Sequence, residues 1–211
     1  MISLFLTPAS APAAIRAAVR VLTQGGVIAL PTETTYGLAC DPRNMSAVRT
    51  IFRIKGRRDT KPLQLIAGSL AQVKRLSSLS GPTRQITDRY WPGPLTLLLP
   101  LRKGKKLAAP VRQKNIIGIR VTSHALVQKL ALAFGHPIAA TSANKSGESP
   151  CYSGRRVREV FSKGLKPALL LDAGSLPRRA PSTVARIMPN GFVKILRVGG
   201  IRLPRRIDDN V

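Results

Sequence analysis

Glycine and proline, 17 of each in 211 residues, divide this chain into short stretches whose apolar pattern switches repeatedly between the helical and the strand period. That alternation restricts the fold more than any single residue does. Ile15, Ala18, Val19 and Leu22 predict a first helix over 12–24, capped by Ser10 and stopped by Gly25-Gly26, with a buried strand over 27–30 directly behind it. Asn44 or Ser46 caps a second helix that carries Val48, Ile51 and Phe52 and ends near Lys55-Gly56. A strand over 63–67, helices over 70–76 and 83–90, a Trp91-Pro92-Gly93-Pro94 turn and a strand over 95–99 follow. Next come a strand over 116–121, a helix from a Thr122 or Ser123 cap to Phe134, and a strand opening at Ile138. The last third predicts a helix near 157–161, a strand over 168–171, and a hairpin of 183–187 against 192–198 turning at Asn190-Gly191. Helices alternating with strands and closed by an antiparallel hairpin define an α/β fold with a twisted mixed sheet and flanking helices.

A hydrophobic content of 44% supports one core, hence a single domain over 1–211 with its body at about 10–200 and a short charged tail. No apolar run approaches the roughly 20 residues that span a bilayer. The first six residues lack the basic start of a secretion signal. Cys40 and Cys151 stand far apart with no Cys-x-x-Cys partner, which suits a reducing compartment and offers neither a disulfide nor a zinc framework. The expected location is the cytoplasm, with no membrane partner. Charge is the unusual property: 35 Lys and Arg face 9 Asp and Glu, a formal +26, and the first 50 residues hold only Arg16, Arg20, Arg43 and Arg49 of that excess. Such a field favours polyanions, although a solvated basic surface is the plainer reading. With aromatic content at 4%, base-stacking platforms are excluded as a main device, so an RNA partner would be double-stranded or held by backbone and shape.

Three polar segments follow predicted elements, where α/β folds place ligand loops. Pro31-Thr32-Glu33-Thr34-Thr35-Tyr36-Gly37-Leu38 offers hydroxyls and one carboxylate, suited to a small polar substrate such as an amino acid. In Lys55-Gly56-Arg57-Arg58-Asp59-Thr60-Lys61-Pro62, an extended backbone would turn Lys55 and Arg57 the same way, a point charge beside a planar fork for one phosphate chain; a cationic helix end complementing its dipole is the alternative. Thr141-Ser142-Ala143-Asn144-Lys145-Ser146-Gly147 sets Ser142 and Asn144 to offer a hydroxyl and an amide to phosphate or ribose oxygens. There is no P-loop and no Rossmann glycine fingerprint. His124 and His136 sit at helix boundaries without ligand spacing, so no metal site is expected from protein ligands. The scarcity of carboxylates excludes a two-carboxylate hydrolase.

Taken in order, P-T-E-T-T-Y-G-L at 31–38, I-K-G-R at 54–57, W-P-G-P-L-T at 91–96, I-R-V-T at 119–122 and T-S-A-N-K-S-G at 141–147 resemble the YrdC family in its short bacterial form. The resemblance covers roughly 10–200. It implies a twisted α/β sheet around a basic concave cavity, and an enzyme that joins L-threonine, bicarbonate and ATP, with Mg²⁺, into threonylcarbamoyl-AMP and pyrophosphate. Transfer proteins then pass the threonylcarbamoyl group to an adenosine in tRNA. Carried over by residue, it implies Lys55, Arg57, Ser142 and Asn144 around the nucleotide phosphates as the catalytic set. Lys61, Arg120 and Arg197 are implied as further ATP contacts, and Thr34 and Ser182 as threonine contacts. Two positions depart from the pattern: Ile66 stands where some members carry a histidine, and Val198-Gly199-Gly200 replaces the commoner proline-glycine after Arg197. Two rivals are a nonenzymatic double-stranded RNA binder or ribosome-assembly factor, favoured by the charge, and a carbamoyl-transfer paralogue with another acceptor.

Overall fold

The computed structural model describes residues 1–56 and 62–207. Arg57 and Lys61, two of the expected nucleotide contacts, lie outside the described residues, as does the end of the tail. In chain order the elements are β1 (Ile2–Phe5), α1 (Ala11–Thr23), β2 (Ile28–Pro31), β3 (Tyr36–Cys40), α2 (Met45–Lys55), β4 (Gln64–Ala67), α3 (Leu70–Leu76), α4 (Gly81–Tyr90) and β5 (Leu95–Pro100). A short 3₁₀ turn at Ala109–Val111 leads to β6 (Arg112–Gln113), β7 (Ile116–Val121), α5 (Ala125–Phe134), β8 (Ile138–Ser142), α6 (Gly154–Val160), β9 (Leu169–Asp172), β10 (Thr183–Ile187) and β11 (Val193–Arg197). They form one mixed sheet in the order β1-β9-β2-β3-β8-β4-β7-β5-β10-β11, with β6 paired to β7. The α/β reading with a mixed sheet therefore holds.

Local signals explain most boundaries. The Asn44 carboxamide accepts the Ala47 amide at 3.0 Å and opens α2, while Gly56 closes it at φ +62, a conformation that suits a residue without Cβ. Two expected caps are otherwise engaged. Ser10 makes no capping bond to α1; its hydroxyl accepts the Thr7 amide and donates to the Phe5 carbonyl. Thr122 gives its hydroxyl to Glu33, and α5 begins at His124 without a side-chain cap. The Thr-rich segment at 31–38, expected as a loop, is the tip of an antiparallel hairpin in which Pro31 pairs with Tyr36 and β3 runs on to Cys40.

The two faces of the sheet are filled differently. On one face Leu38, Leu65, Leu97, Ile117, Ile119 and Leu170 join Val48, Ile51 and Phe52 of α2 and Val73 of α3 in a continuous core. On the other face Ala14, Ala18 and Leu22 of α1 and Val127 and Leu130 of α5 pack against Ile28, Leu30, Ala39, Ile138, Ala140, Leu169 and Leu171. That second core ends at Ile66 of β4. Ile66 pairs directly with Arg120 of β7, and beyond this line the same face becomes polar.

Candidate active site

Beyond Ile66 the second face carries Arg120 and Gly118 on β7, Thr96 and Leu98 on β5, and the residues around Ser182. Alternation fixes this: Ile117, Ile119 and Val121 point into the first core, so Gly118 and Arg120 point the other way. A Cβ at Gly118 would stand 3.4–3.6 Å from Leu98, Thr96 and Gln64, so this glycine forms a bare floor between three side chains. Thr96, wholly buried, shares a 3.2 Å hydroxyl contact with Ser182 and donates to Gln64 Oε1 at 3.3 Å. Arg197 donates Nε and Nη2 to the Ser182 carbonyl at 3.0 and 2.8 Å and Nη2 to the Ser182 hydroxyl at 2.8 Å. A register shift in β10–β11 puts Arg197 opposite Val184 while Ile195 stands opposite Ala185. That bulge brings Arg197 onto the polar face, since an unbroken ladder would have offset it by one residue. Gly199 lies against the backbone of Pro181, Ser182 and Thr183, where a Cβ would overlap backbone atoms, and Gly200 donates to the Pro181 carbonyl at 3.0 Å. The Val-Gly-Gly departure thus forms the strap that holds Ser182 in place.

The hairpin tip closes one side. Thr32 Oγ1 donates to the Thr35 carbonyl at 2.7 Å, accepts the amides of Thr34 and Thr35 at 3.2 Å, and meets Thr34 Oγ1 at 3.1 Å. Between them Glu33 reaches to β7, where Arg120 Nε donates to it at 2.9 Å and the Thr122 hydroxyl at 2.6 Å. Three strand spacings separate β3 from β7, about 14 Å of sheet. Burial pushes the Glu33 carboxyl up, but the Arg120 charge and the Thr122 hydroxyl outweigh it and hold the group below the usual carboxylate range. Arg197 is shifted down by burial and then by the Arg120 charge, which places two guanidiniums in one field. His124 Nδ1 is the one buried side-chain polar atom without a hydrogen-bond partner among the described residues, and burial lowers that histidine's pKa.

Ser142 pairs with Gly37 at the end of β8, beside the hairpin, and its hydroxyl donates to Asn144 Oδ1 at 2.6 Å. Asn144 Nδ2 is committed to the Lys145 and Glu148 carbonyls, both at 2.8 Å. Lys55 is the last residue of α2 rather than part of an extended strand, so the expected alternation with Arg57 does not apply. Its buried ammonium donates to the Ser142 carbonyl at 2.6 Å, the Asn144 carbonyl at 2.8 Å and Asn144 Oδ1 at 3.2 Å. The loop returns donors to the helix end: Lys145 Nζ to the Ile54 carbonyl at 2.7 Å and the Ser146 amide to the Lys55 carbonyl at 2.9 Å. The two motifs, far apart in sequence, are therefore one structural unit.

Among the described residues the Ser142 and Ser182 hydroxyls pair with Asn144, Thr96 and Arg197, never with a histidine or a carboxylate, so no nucleophile–base couple is set up. Hydroxyls, one carboxamide and two arginines gathered on an uncovered sheet face make this a class of α/β protein built to hold small polar and anionic ligands against each other. The sequence profile of the Sua5/YciO/YrdC family, described as "Telomere recombination", matches residues 20–199. A threonylcarbamoyl-AMP synthase of Thiobacillus denitrificans is 36% identical over 179 residues, covering 83% of this chain and 90% of that protein. The mouse threonylcarbamoyl-AMP synthase is 34% identical over 193 residues, covering 88% of this chain and 67% of the relative. The crystal structure of P. abyssi Sua5 complexed with L-threonine superposes with a TM-score of 0.83 at 31% identity; the chain is 94% covered and spans 57% of that protein's length. The chain belongs to the Sua5/YciO/YrdC family.

Proposed function

We propose that this chain is a threonylcarbamoyl-AMP synthase, converting L-threonine, bicarbonate and ATP to threonylcarbamoyl-AMP and pyrophosphate. The observation that carries this reading is the convergence of the Thr34 hairpin, the Ser142–Asn144 loop, Ser182 and two arginines on the one uncovered stretch of sheet, in a chain whose relatives bear that name. In this reading Thr34 and Ser182 hold threonine, the ligand of the P. abyssi protein, on the side where hydroxyls dominate. Ser142, Asn144, Arg120 and Arg197, with Arg57 and Lys61, receive the triphosphate. Lys55 keeps the Ser142–Asn144 loop in shape through its three acceptors and adds positive charge behind it.

Carbamate forms on the threonine amine, and one of its oxygens attacks the α-phosphorus of ATP; the bond to the bridging oxygen breaks and pyrophosphate leaves. The reaction joins bound ligands, so the protein contributes proximity and fixed charges rather than a covalent intermediate. No group of three or more His, Cys, Asp or Glu among the described residues fits a divalent ion. Mg²⁺ would therefore arrive on the triphosphate oxygens, where it neutralises phosphate charge. Transfer onto tRNA by partner proteins would follow, and the +26 charge supports RNA contact at this chain's surface. No helix among the described residues is long and apolar enough to cross a membrane, in keeping with a cytoplasmic reaction.

Mass spectrometry of the nucleotide product tests the reading. The adenylate and pyrophosphate should appear only with threonine, bicarbonate and ATP all present, and should fall sharply when serine or alanine replaces threonine. Pyrophosphate released without threonine refutes it.

A further inference from the structure

Glu33 is one of 9 carboxylates among 35 cationic side chains, and it is placed in the interior. Of the ion pairs between described residues, Glu33–Arg120 is the one with both side chains under a tenth exposed, 4% and 8%. A buried pair is costly unless its geometry is good and its other groups are satisfied, so the way this one is made is informative. Oε2 takes the Thr122 hydroxyl and Oε1 takes only Nε of Arg120. Neither terminal nitrogen of Arg120 meets an acceptor among the described residues. A guanidinium engaged for strength alone would fork two nitrogens onto the carboxylate. This one is gripped from the side, leaving its terminal nitrogens on the half of the sheet where Thr96, Ser182 and Arg197 stand.

We propose that Glu33 is a positioning residue: its side-on bond to Nε turns the two terminal nitrogens of Arg120 toward the uncovered half, set for a bidentate bond to phosphate oxygens of ATP. The inference rests on the synthase reading for the identity of that anion. The carboxylate also offsets one of two neighbouring guanidiniums, so that Arg120 and Arg197 can share a site without facing each other uncompensated. Because Glu33 sits between Thr32 and Thr34 in the hairpin tip, the setting of Arg120 and that of the threonine-side hydroxyls are fixed by one turn. Sequence spacing gave no sign of this, since Glu33 and Arg120 lie 87 positions apart.

A double-mutant cycle on ATP affinity, read by titration calorimetry, tests the proposal. Glu33→Gln keeps the size and one acceptor oxygen but removes the charge. It should weaken ATP binding about tenfold in the wild-type background and less than about twofold in Arg120→Gln, because residues acting through one contact are not additive. Glu33→Asp, which keeps the charge but withdraws it from Nε, should behave like Glu33→Gln, and it carries the cycle if the glutamine variant does not fold by melting temperature. Equal losses in both backgrounds, unchanged ATP binding in a folded Glu33 variant, or a wild-type protein that does not bind ATP each overturn it. The readout is binding, so a missing adenylate product, which would defeat the synthase reading, is told apart from a failed cycle.

Discussion

The two halves of the second sheet face share strand geometry and differ in what covers them. From β9 across to β4 the face is apolar and lies beneath α1 and α5, with Ala18, Leu22, Ile28, Leu30 and Leu130 wholly buried. From β7 to β11 the same face presents Arg120, Thr96, Ser182 and Arg197 and contributes nothing to that apolar cluster. The border falls between the paired residues Ile66 and Arg120. The difference teaches that the site is made by ending a helical layer rather than by opening a cavity in a core: stability is concentrated in the covered half, and the open half is left to ligand groups held by hydrogen bonds.

Substitutions on either side of the border should therefore separate. The largest effect is expected from Leu30→Ala, which empties a fully buried position under the helices; it should cost about 2–5 kcal/mol in denaturant unfolding, with KM for threonine and ATP unchanged in the folded fraction. A KM change equal to that of an open-half variant would erase the distinction. Thr96→Val acts on the other side. Losing one hydroxyl that touches Ser182 and Gln64 should cost only about 1 kcal/mol of stability, yet raise KM for threonine severalfold as Ser182 loses a neighbour. Unaltered threonine KM would mean that Ser182 is set by Arg197 and the Gly199 strap alone.

Much of this architecture was legible in the sequence, and the gaps have physical causes. Helices α2, α3 and α5 follow from their caps, stops and 3.6-residue period, and strand β7 matches its expected bounds because its apolar run is uninterrupted. β3 was hidden because Gly37 and Ala39 weaken its strand signal and a threonine-rich tip precedes it. β1 offers only four residues, with Ile2 and Phe5 exposed, and its partner β9 lies at the other end of the chain. The site residues were legible as types, whereas their roles depend on long-range partners. Thr122 looked like a cap until Glu33 claimed its hydroxyl, and Lys55 looked like a phosphate ligand until the Ser142–Asn144 carbonyls were found around its ammonium. The bulge that places Arg197 on the open face leaves no mark in local sequence pattern.

The central claim is that threonine and ATP meet on the uncovered half of the sheet, and amide chemical-shift mapping by NMR tests it most directly. Adding both ligands with Mg²⁺ should shift the amides of Thr34, Arg120, Ser142, Asn144, Ser182 and Arg197, while Ala14, Ala18, Leu22 and Leu130 beneath the helical layer stay still. Shifts concentrated on α1 and α5, with the open half silent, would contradict it.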